Sequence, residues 1–489
     1  MNLARLLSDA AASAPDKPAL VSSGSSIDFA TFDKEAGRVA AWLVSIGVQP
    51  GDRVAIAMGN VAQFPFAYFG SLRAGAVVVP VNVLLTDDEV RRILKDSGAK
   101  ALIAAPGPGD VAMRAAADFD VTLLSTDRWD SLPDEATSEV NREEGDLAVL
   151  AYTSGTTGEP KGAMLTHGNL LANLRQQKEV REDEIDADDV LFLALPLFHI
   201  FGLNVTLGQL VLNAATGVLV ERFDPIAALK TIQEQKVTIV FGAPTMYLAW
   251  LDTPGAEQYD MSSVRWAVSG AAPLPAETVP RFKDVFGVDI FEGYGLTETA
   301  PTVTTNRVGA EPRPGSIGKP IPGVDVRLVD EEGNDVEFGD PGEIVVRGPN
   351  VFKGYWGREE ETQRAFRDGW FRTGDVAVAD EEGYLFIVDR KRDLIIVSGF
   401  NVFPNEVENA LLLNPEILEA AVVGEAHPYT GETVKAFVVL KPAADATERE
   451  LVADAQSRLA RFKAPTSIEI VDELPRLATG KVLRRALRT

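Results

Sequence analysis

Between Arg53 and about residue 290, short apolar runs alternate with amphipathic stretches. Val54-Ala55-Ile56-Ala57-Met58 predicts a buried strand, residues 62–74 a helix, and Ala76-Val77-Val78-Val79-Pro80 a second strand. The same rhythm recurs at 101–104, 191–195, 217–220, 238–241 and 266–268. Strands that alternate with helices imply βαβ units, so this part reads as an α/β fold of helix-covered, mostly parallel sheets. After Gly315 the texture changes. Segments such as Val324-Asp325-Val326-Arg327-Leu328-Val329 and Glu343-Ile344-Val345-Val346-Arg347 are short and separated by Gly and Asp turns, which predicts a small antiparallel, barrel-like β subdomain over 315–388. A charged run, Asp389-Arg390-Lys391-Arg392-Asp393, then precedes an α+β tail with helices near 405–413 and 448–461 and strands near 420–423 and 435–440. We place the domain boundary at that run, with a large domain over 1–389 and a small one over 393–489.

Composition narrows the chemistry. The 489 residues are too many for one ordinary core. With 47 Lys+Arg against 72 Asp+Glu the formal net charge is −25, which supplies no global basic field for nucleic acid and disfavours an anionic membrane. There is no Cys, so thiolate nucleophiles, disulfides and zinc-thiolate sites are excluded. The three His, His167, His199 and His427, are too scattered for a multi-histidine metal site. Residues 1–9 predict a short amphipathic helix rather than a signal peptide, and the most apolar stretch, 74–85, contains Pro80 and is too short to span a bilayer. The expectation is a soluble, cytoplasmic chain with no stable membrane insertion.

The most informative stretch is Tyr152-Thr153-Ser154-Gly155-Thr156-Thr157-Gly158-Glu159-Pro160-Lys161-Gly162, after an apolar run over 147–151 that predicts a strand. Its hydroxyls can donate to phosphate oxygens, its glycines let backbone N–H groups approach closely, and Lys161 adds positive charge. It is not a Walker A loop, because Pro160 stands where that pattern has its second Gly.

The stretch resembles the phosphate-binding loop of the adenylate-forming enzymes, the family that includes acyl-CoA synthetases, peptide-synthetase adenylation domains and firefly luciferase. Other motifs of that family follow in order: Pro196-Leu197-Phe198-His199-Ile200-Phe201-Gly202, Ser269-Gly270-Ala271-Ala272-Pro273-Leu274, Gly293-Tyr294-Gly295-Leu296-Thr297-Glu298-Thr299, Gly369-Trp370-Phe371-Arg372-Thr373-Gly374-Asp375, Asp389-Arg390, and Pro475-Arg476-Leu477-Ala478-Thr479-Gly480-Lys481. The resemblance covers essentially the whole chain. It implies that a carboxylate is joined to the α-phosphate of ATP with release of pyrophosphate. Two anions must meet there, so cations, Mg²⁺ and fixed donors are expected.

By the same resemblance, Glu298 holds Mg²⁺ and Thr297 contacts the α-phosphate. Tyr294 stacks on adenine, with Gly293 and Gly295 beside it, against the backbone of Gly270, Ala271 and Ala272. Asp375 and Arg390 contact the ribose, and Lys481 bridges carboxylate and phosphate. Residues 390–392 form a hinge centred on Arg392. Rotation about it presents Ser398, Gly399 and Phe400 to the pantetheine of coenzyme A.

His199, after Phe198, occupies the position of a gate beside the acyl pocket, whose expected walls include Thr206, Met246 and Ala300. Amino-acid-activating relatives resemble a Phe-Asp-x-Ser pattern here; this chain has Phe198-His199-Ile200-Phe201, with no carboxylate for a substrate amine. The apolar walls suit a fatty acyl chain, at about 0.8 kcal/mol per buried methylene. The expected reaction is ATP-dependent ligation of a medium- or long-chain fatty acid to coenzyme A. Alternatives are a cinnamate- or benzoate-like acid, and a separate carrier protein as acceptor. A homodimer is compatible with the resemblance and is argued by no residue.

Overall fold

The computed structural model describes all residues except 23, 155–159, 310, 391–394, 398–399, 428–430, 443, 460, 477–481 and 488–489, and omits the side chains of 154, 389, 390, 396, 400, 401, 431 and 485. The chain divides into two compact units: residues 1–325 with 346–371, and residues 326–345 with 372–489.

Two sheets organise the first unit. One has six strands in the order Thr122–Ser125, Ala101–Ala104, Arg53–Ala57, Val77–Pro80, Leu147–Ser154 and Pro160–Thr166. All neighbours are parallel except the last pair, a hairpin. Alternation along these strands feeds two cores. Val54, Ile56 and Val78 pack into the main cluster, whereas Ala55, Ala57, Val77 and Val79 pack into a second cluster on the opposite face. That two-sided burial is why these segments read as continuous apolar runs.

The other sheet has nine strands in the order Lys319–Pro320, Thr302–Thr305, Ile290–Gly295, Trp266–Ser269, Ile239–Gly242, Val190–Leu193, Thr216–Leu219, Pro18–Ser22 and Ser25–Asp28. Its six central strands from Ile290–Gly295 to Pro18–Ser22 are mutually parallel, as the strand–helix rhythm predicts. Antiparallel strands close both ends. The predicted helix at 62–74 is Gln63–Arg73, with nearly every side chain buried.

In the second unit, which takes up the strand Trp370–Ala379 from Arg372 onward, that strand and Leu385–Arg390 form an antiparallel hairpin. The tail pairs Ile417–His427 with Gly431–Leu440 along their length, adds Ser467–Ile470 in parallel, and carries the helices Pro404–Leu412 and Glu448–Arg458. These lie close to the predicted positions, although the first strand has 11 residues and the second 10, both well beyond the expected 420–423 and 435–440.

The N-terminal helix spans Arg5–Ser13 and buries Leu6, Leu7 and Ala10. It is fastened through a histidine. Leu3 N–H donates to His167 Nδ1 at 3.0 Å, and Asn2 Nδ2 donates to the carbonyls of Leu72 and Val140 at 2.8 and 2.9 Å. His167 opens the helix His167–Lys178, whose N-terminus is closed by reciprocal Thr166 and Asn169 side-chain bonds. Burial, with Arg142 nearby, pushes the His167 pKa down to about 4. A histidine held neutral in the native state stabilises the fold above its unfolded pKa near 6.5, and that contribution is lost as pH falls toward 4. Thermal melts between pH 7 and 4 will show wild-type protein losing stability on acidification. His167→Gln will be less stable at pH 7, by about 1–2 kcal/mol, and less pH-sensitive.

Candidate active site

The predicted phosphate loop is flanked by the two paired strands of a β-hairpin, Leu147–Ser154 and Pro160–Thr166. Thr153 faces Lys161 and Tyr152 faces Gly162 in its register. Gly155, Thr156, Thr157 and Gly158 lie outside the described residues, as does the Ser154 side chain. The loop is therefore followed by a strand rather than by the helix N-terminus that a Walker A loop uses. Tyr152 roots the hairpin by donating to Asp96 Oδ2 at 2.6 Å.

A segment near residue 354 runs along the free edge of that hairpin. Met164 N–H donates to Gly354 O at 2.9 Å, Lys353 N–H to Met164 O at 2.9 Å, and Trp356 N–H to Gly162 O at 2.8 Å. The same segment reaches the second predicted phosphate motif, since Phe352 N–H donates to Glu298 O at 2.8 Å. Glu298 sits in a short turn over Thr297–Thr299 and is only 9% exposed, so it is not a solvated surface carboxylate. Its Oε1 accepts from the Tyr355 hydroxyl at 2.9 Å. Burial and the neighbouring Glu298 raise the Tyr355 pKa, so the phenol remains a donor. Gly295 precedes this turn for a steric reason: a Cβ there would lie 1.9 Å from Pro301 O.

Tyr294 and residues 270–272 leave adjacent parallel strands at the same end, with Ser269 opposite Glu292 in the register. Tyr294 is half-buried and its strand pairs on the other side with Thr302–Thr305. Glu292 is a residue that motif reading missed. It is 7% exposed and accepts from Leu274 N–H, tying the 270–274 loop to the strand that carries Tyr294. Neither Glu292 Oε2 nor Ser269 Oγ has a partner among the described residues. Burial pushes the Glu292 carboxyl up to about 8.

The acyl segment is held by two buried asparagines that sequence reasoning also passed over. Asn60 Nδ2 donates to the carbonyls of Leu193 and Leu195, and its Oδ1 accepts from Leu197 N–H, which fixes the approach to Phe198 and His199. Asn204 Nδ2 donates to Leu170 O at 3.2 Å and to Ala300 O at 2.7 Å, joining the wide π-helical stretch Phe201–Gly208 to the turn after Glu298. Gly202 permits this winding, because a Cβ there would lie 2.3 Å from Pro196 O. His199 is half-buried, its Nδ1 accepts from Phe201 N–H at 3.3 Å, and burial lowers its pKa to about 4, so it is neutral near pH 7. Thr206 spends its hydroxyl on Gly202 O within its own helix, and Met246 and Ala300 are buried. The walls named in advance thus expose little polarity.

In the second unit, Asp375 is 3% exposed and lies directly opposite Arg390 in the hairpin register, which makes the two expected ribose contacts cross-strand neighbours. Asp375 N–H donates to Thr373 Oγ1 at 3.1 Å, and Thr373 Oγ1 donates to Ile344 O at 2.8 Å. Arg392, Ser398, Gly399 and Lys481 lie outside the described residues; Phe400 opens the strand Phe400–Val402.

Family comparison decides what this arrangement belongs to. The model for the AMP-binding enzyme matches residues 7–356, and that for the AMP-binding enzyme C-terminal domain matches 406–481. The chain belongs to the AMP-binding enzyme family. A long-chain-fatty-acid–CoA ligase of Bacillus subtilis is 38% identical across 99% of this chain and 94% of its own length. A feruloyl-CoA synthase from an Amycolatopsis species is 40% identical across 97% and 96%. Among solved structures, ATP-bound MatB from Rhodopseudomonas palustris superposes with a TM-score of 0.92 at 36% identity, covering 100% of this chain and 98% of that one. The resemblance to acyl-CoA synthetases read from the motifs, and the mixed α/β architecture, both hold for this family member.

A carboxyl whose native pKa lies above its unfolded value contributes stability in full below about pH 4.5, and loses it as pH rises through about 8. Wild-type protein will therefore lose stability from Glu292 across that window. Glu292→Gln, isosteric and uncharged, will flatten this alkaline limb and raise stability at pH 8 by on the order of a few kcal/mol, measured by denaturant titration at fixed pH values.

Proposed function

We propose that this chain activates an apolar carboxylic acid, a medium- or long-chain fatty acid first, by joining it to the α-phosphate of ATP with expulsion of pyrophosphate, and then passes the acyl group to coenzyme A. The observation that carries the substrate class is the character of the acyl segment. Thr206 is satisfied within its own helix, His199 is neutral, and no carboxylate follows Phe198 to meet an amine. An aryl acid is the second reading, favoured by the 40% identity to feruloyl-CoA synthase.

Mg²⁺ is part of this proposal. Among the described residues no group of three His, Asp or Glu side chains could cage a metal ion. A single buried carboxylate suits Mg²⁺, which keeps several waters and is bound chiefly through substrate phosphates. Glu298 would hold it, and the ion would neutralise charge on the triphosphate. Lys161 and the hydroxyls of Thr153 and Thr297 would contact phosphate oxygens, Tyr294 would stack on adenine above the 270–272 backbone, and Asp375 with Arg390 would bind the ribose. The family resemblance further supports Lys481 as the cation bridging carboxylate and α-phosphate, Arg392 as a hinge residue, and Ser398, Gly399 and Phe400 along the pantetheine path. A cytoplasmic location belongs to the same proposal; among the described residues no helix is long and apolar enough to cross a membrane.

Pyrophosphate release, measured with ATP and Mg²⁺ across saturated fatty acids, aryl acids and amino acids, tests this reading. Turnover is expected only with apolar acids and only when coenzyme A is present. Amino-acid-driven turnover would overturn the substrate class, and acid-driven pyrophosphate exchange with no sustained turnover on addition of coenzyme A would point to a carrier protein as acceptor.

The two half-reactions separate the roles of the second unit. Lys481→Ala is expected to lower acyl-adenylate formation at least 100-fold while leaving thioester formation from supplied acyl-adenylate within about threefold of wild type. Equal loss in both assays would remove Lys481 from the adenylation step.

A further inference from the structure

The segment that joins the two phosphate-facing motifs also carries a charge relay that the family motifs do not explain. Lys161 Nζ lies 3.1 Å from Glu361 Oε2, and both side chains are largely shielded, at 16% and 31% exposure. The ammonium also stands 5.6 Å from the centroid of the Tyr355 ring, within cation–π range. The hydroxyl of that same ring is bonded to Glu298. Tyr355 is itself pinned, because its N–H donates to Thr362 Oγ1 at 2.9 Å and its ring packs edge-on against Phe352. Glu361 and Thr362 are neighbours on the helix Glu359–Ala365, so one short element orients both the aromatic ring and the carboxylate.

We propose that Glu361 is the resident counter-ion of Lys161 in the nucleotide-free chain, displaced when a triphosphate takes the lysine, and that Tyr355 is the positioning residue that keeps Glu298 oriented through the exchange. The inference rests on the nucleotide-site reading above and extends it to how the empty site is kept in order.

The physical case is one of competing anions. A lysine left alone in a shielded position would be costly, and Glu361 removes that cost while no nucleotide is present. Once a triphosphate arrives, the same carboxylate stands close to a polyanion and competes for the one ammonium. Glu361 thus weakens ATP binding in exchange for an ordered empty site. Tyr355 acts differently. A phenol donating to one carboxylate oxygen of Glu298 fixes the orientation of that carboxylate, and it can do so whether or not the metal is bound.

Calorimetric titration of ATP into the full chain without any acid substrate tests both halves, because no turnover occurs. With Mg²⁺ present, Glu361→Gln should tighten ATP binding about threefold to tenfold, and the gain should shrink below about twofold in a Lys161→Ala background. Tyr355→Phe should leave metal-free ATP binding within about twofold of wild type. It should weaken Mn²⁺ uptake by the ATP complex about tenfold, read by the paramagnetic signal of free Mn²⁺, with no such effect in a Glu298→Gln background. Unchanged or weaker ATP binding in Glu361→Gln would overturn the counter-ion, and an equal Tyr355→Phe loss with and without metal would reduce Tyr355 to a packing residue. Should Lys161→Ala and Glu298→Gln themselves bind ATP and Mn²⁺ as wild type does, the reading of the nucleotide site falls, and the proposal with it.

Discussion

The outer edge of the hairpin strand Pro160–Thr166 has backbone groups that must be satisfied, and the way they are satisfied organises the candidate site. An edge strand presents unpaired N–H and C=O groups that would otherwise require water or another chain. Here they are taken up by residues 353–356, nearly two hundred positions further along the chain. Because that segment also bonds to Glu298 and carries Tyr355, satisfying one edge brings the lysine of the phosphate loop and the buried carboxylate into a common frame. Neither motif has to find the other by flexible side chains alone.

This explains which parts of the molecule were legible in sequence. The parallel strands were plain because both of their faces are buried: Val54 and Ile56 feed one core and Ala55 and Ala57 the other, so each strand reads as an unbroken apolar run. The candidate residues of the nucleotide motifs were also legible, since small residues, hydroxyls and one lysine clustered in eleven positions have few structural uses. Long-range polar contacts leave no such mark. Asn60 and Asn204 are single amides in unremarkable contexts, yet between them they hold the 193–197 segment and the turn at Ala300 through backbone carbonyls. Glu292 lies one position before a recognised motif and is still invisible as a buried carboxyl, because nothing local distinguishes it from the many acidic residues of a chain with net charge −25.

That charge sharpens the functional problem. A strongly acidic protein that binds ATP and a carboxylate must create its positive potential locally, against its own average field. Most cations of the first unit are already committed to nearby carboxylates, as Arg307 is to Glu184 and Arg265 to Asp189. Lys161 is no exception among them. Its partner Glu361 makes the empty site electrically balanced, and on the nucleotide reading balance in the empty site implies competition in the filled one.

Protonation carries the same logic into the remaining buried groups. His199 and Glu292 are both pushed toward their neutral forms by burial, one downward and one upward in pKa. Around neutral pH, both therefore add little charge to a site whose proposed ligands bring several negative charges with them. Glu298 is nearly as deeply buried as Glu292, and its Oε1 accepts from the Tyr355 hydroxyl, whereas Glu292 accepts from Leu274 N–H. What separates the two carboxyls is the element each is tied to, the 270–274 loop for Glu292 and the 352–356 segment for Glu298, rather than depth of burial, which is nearly the same for the two.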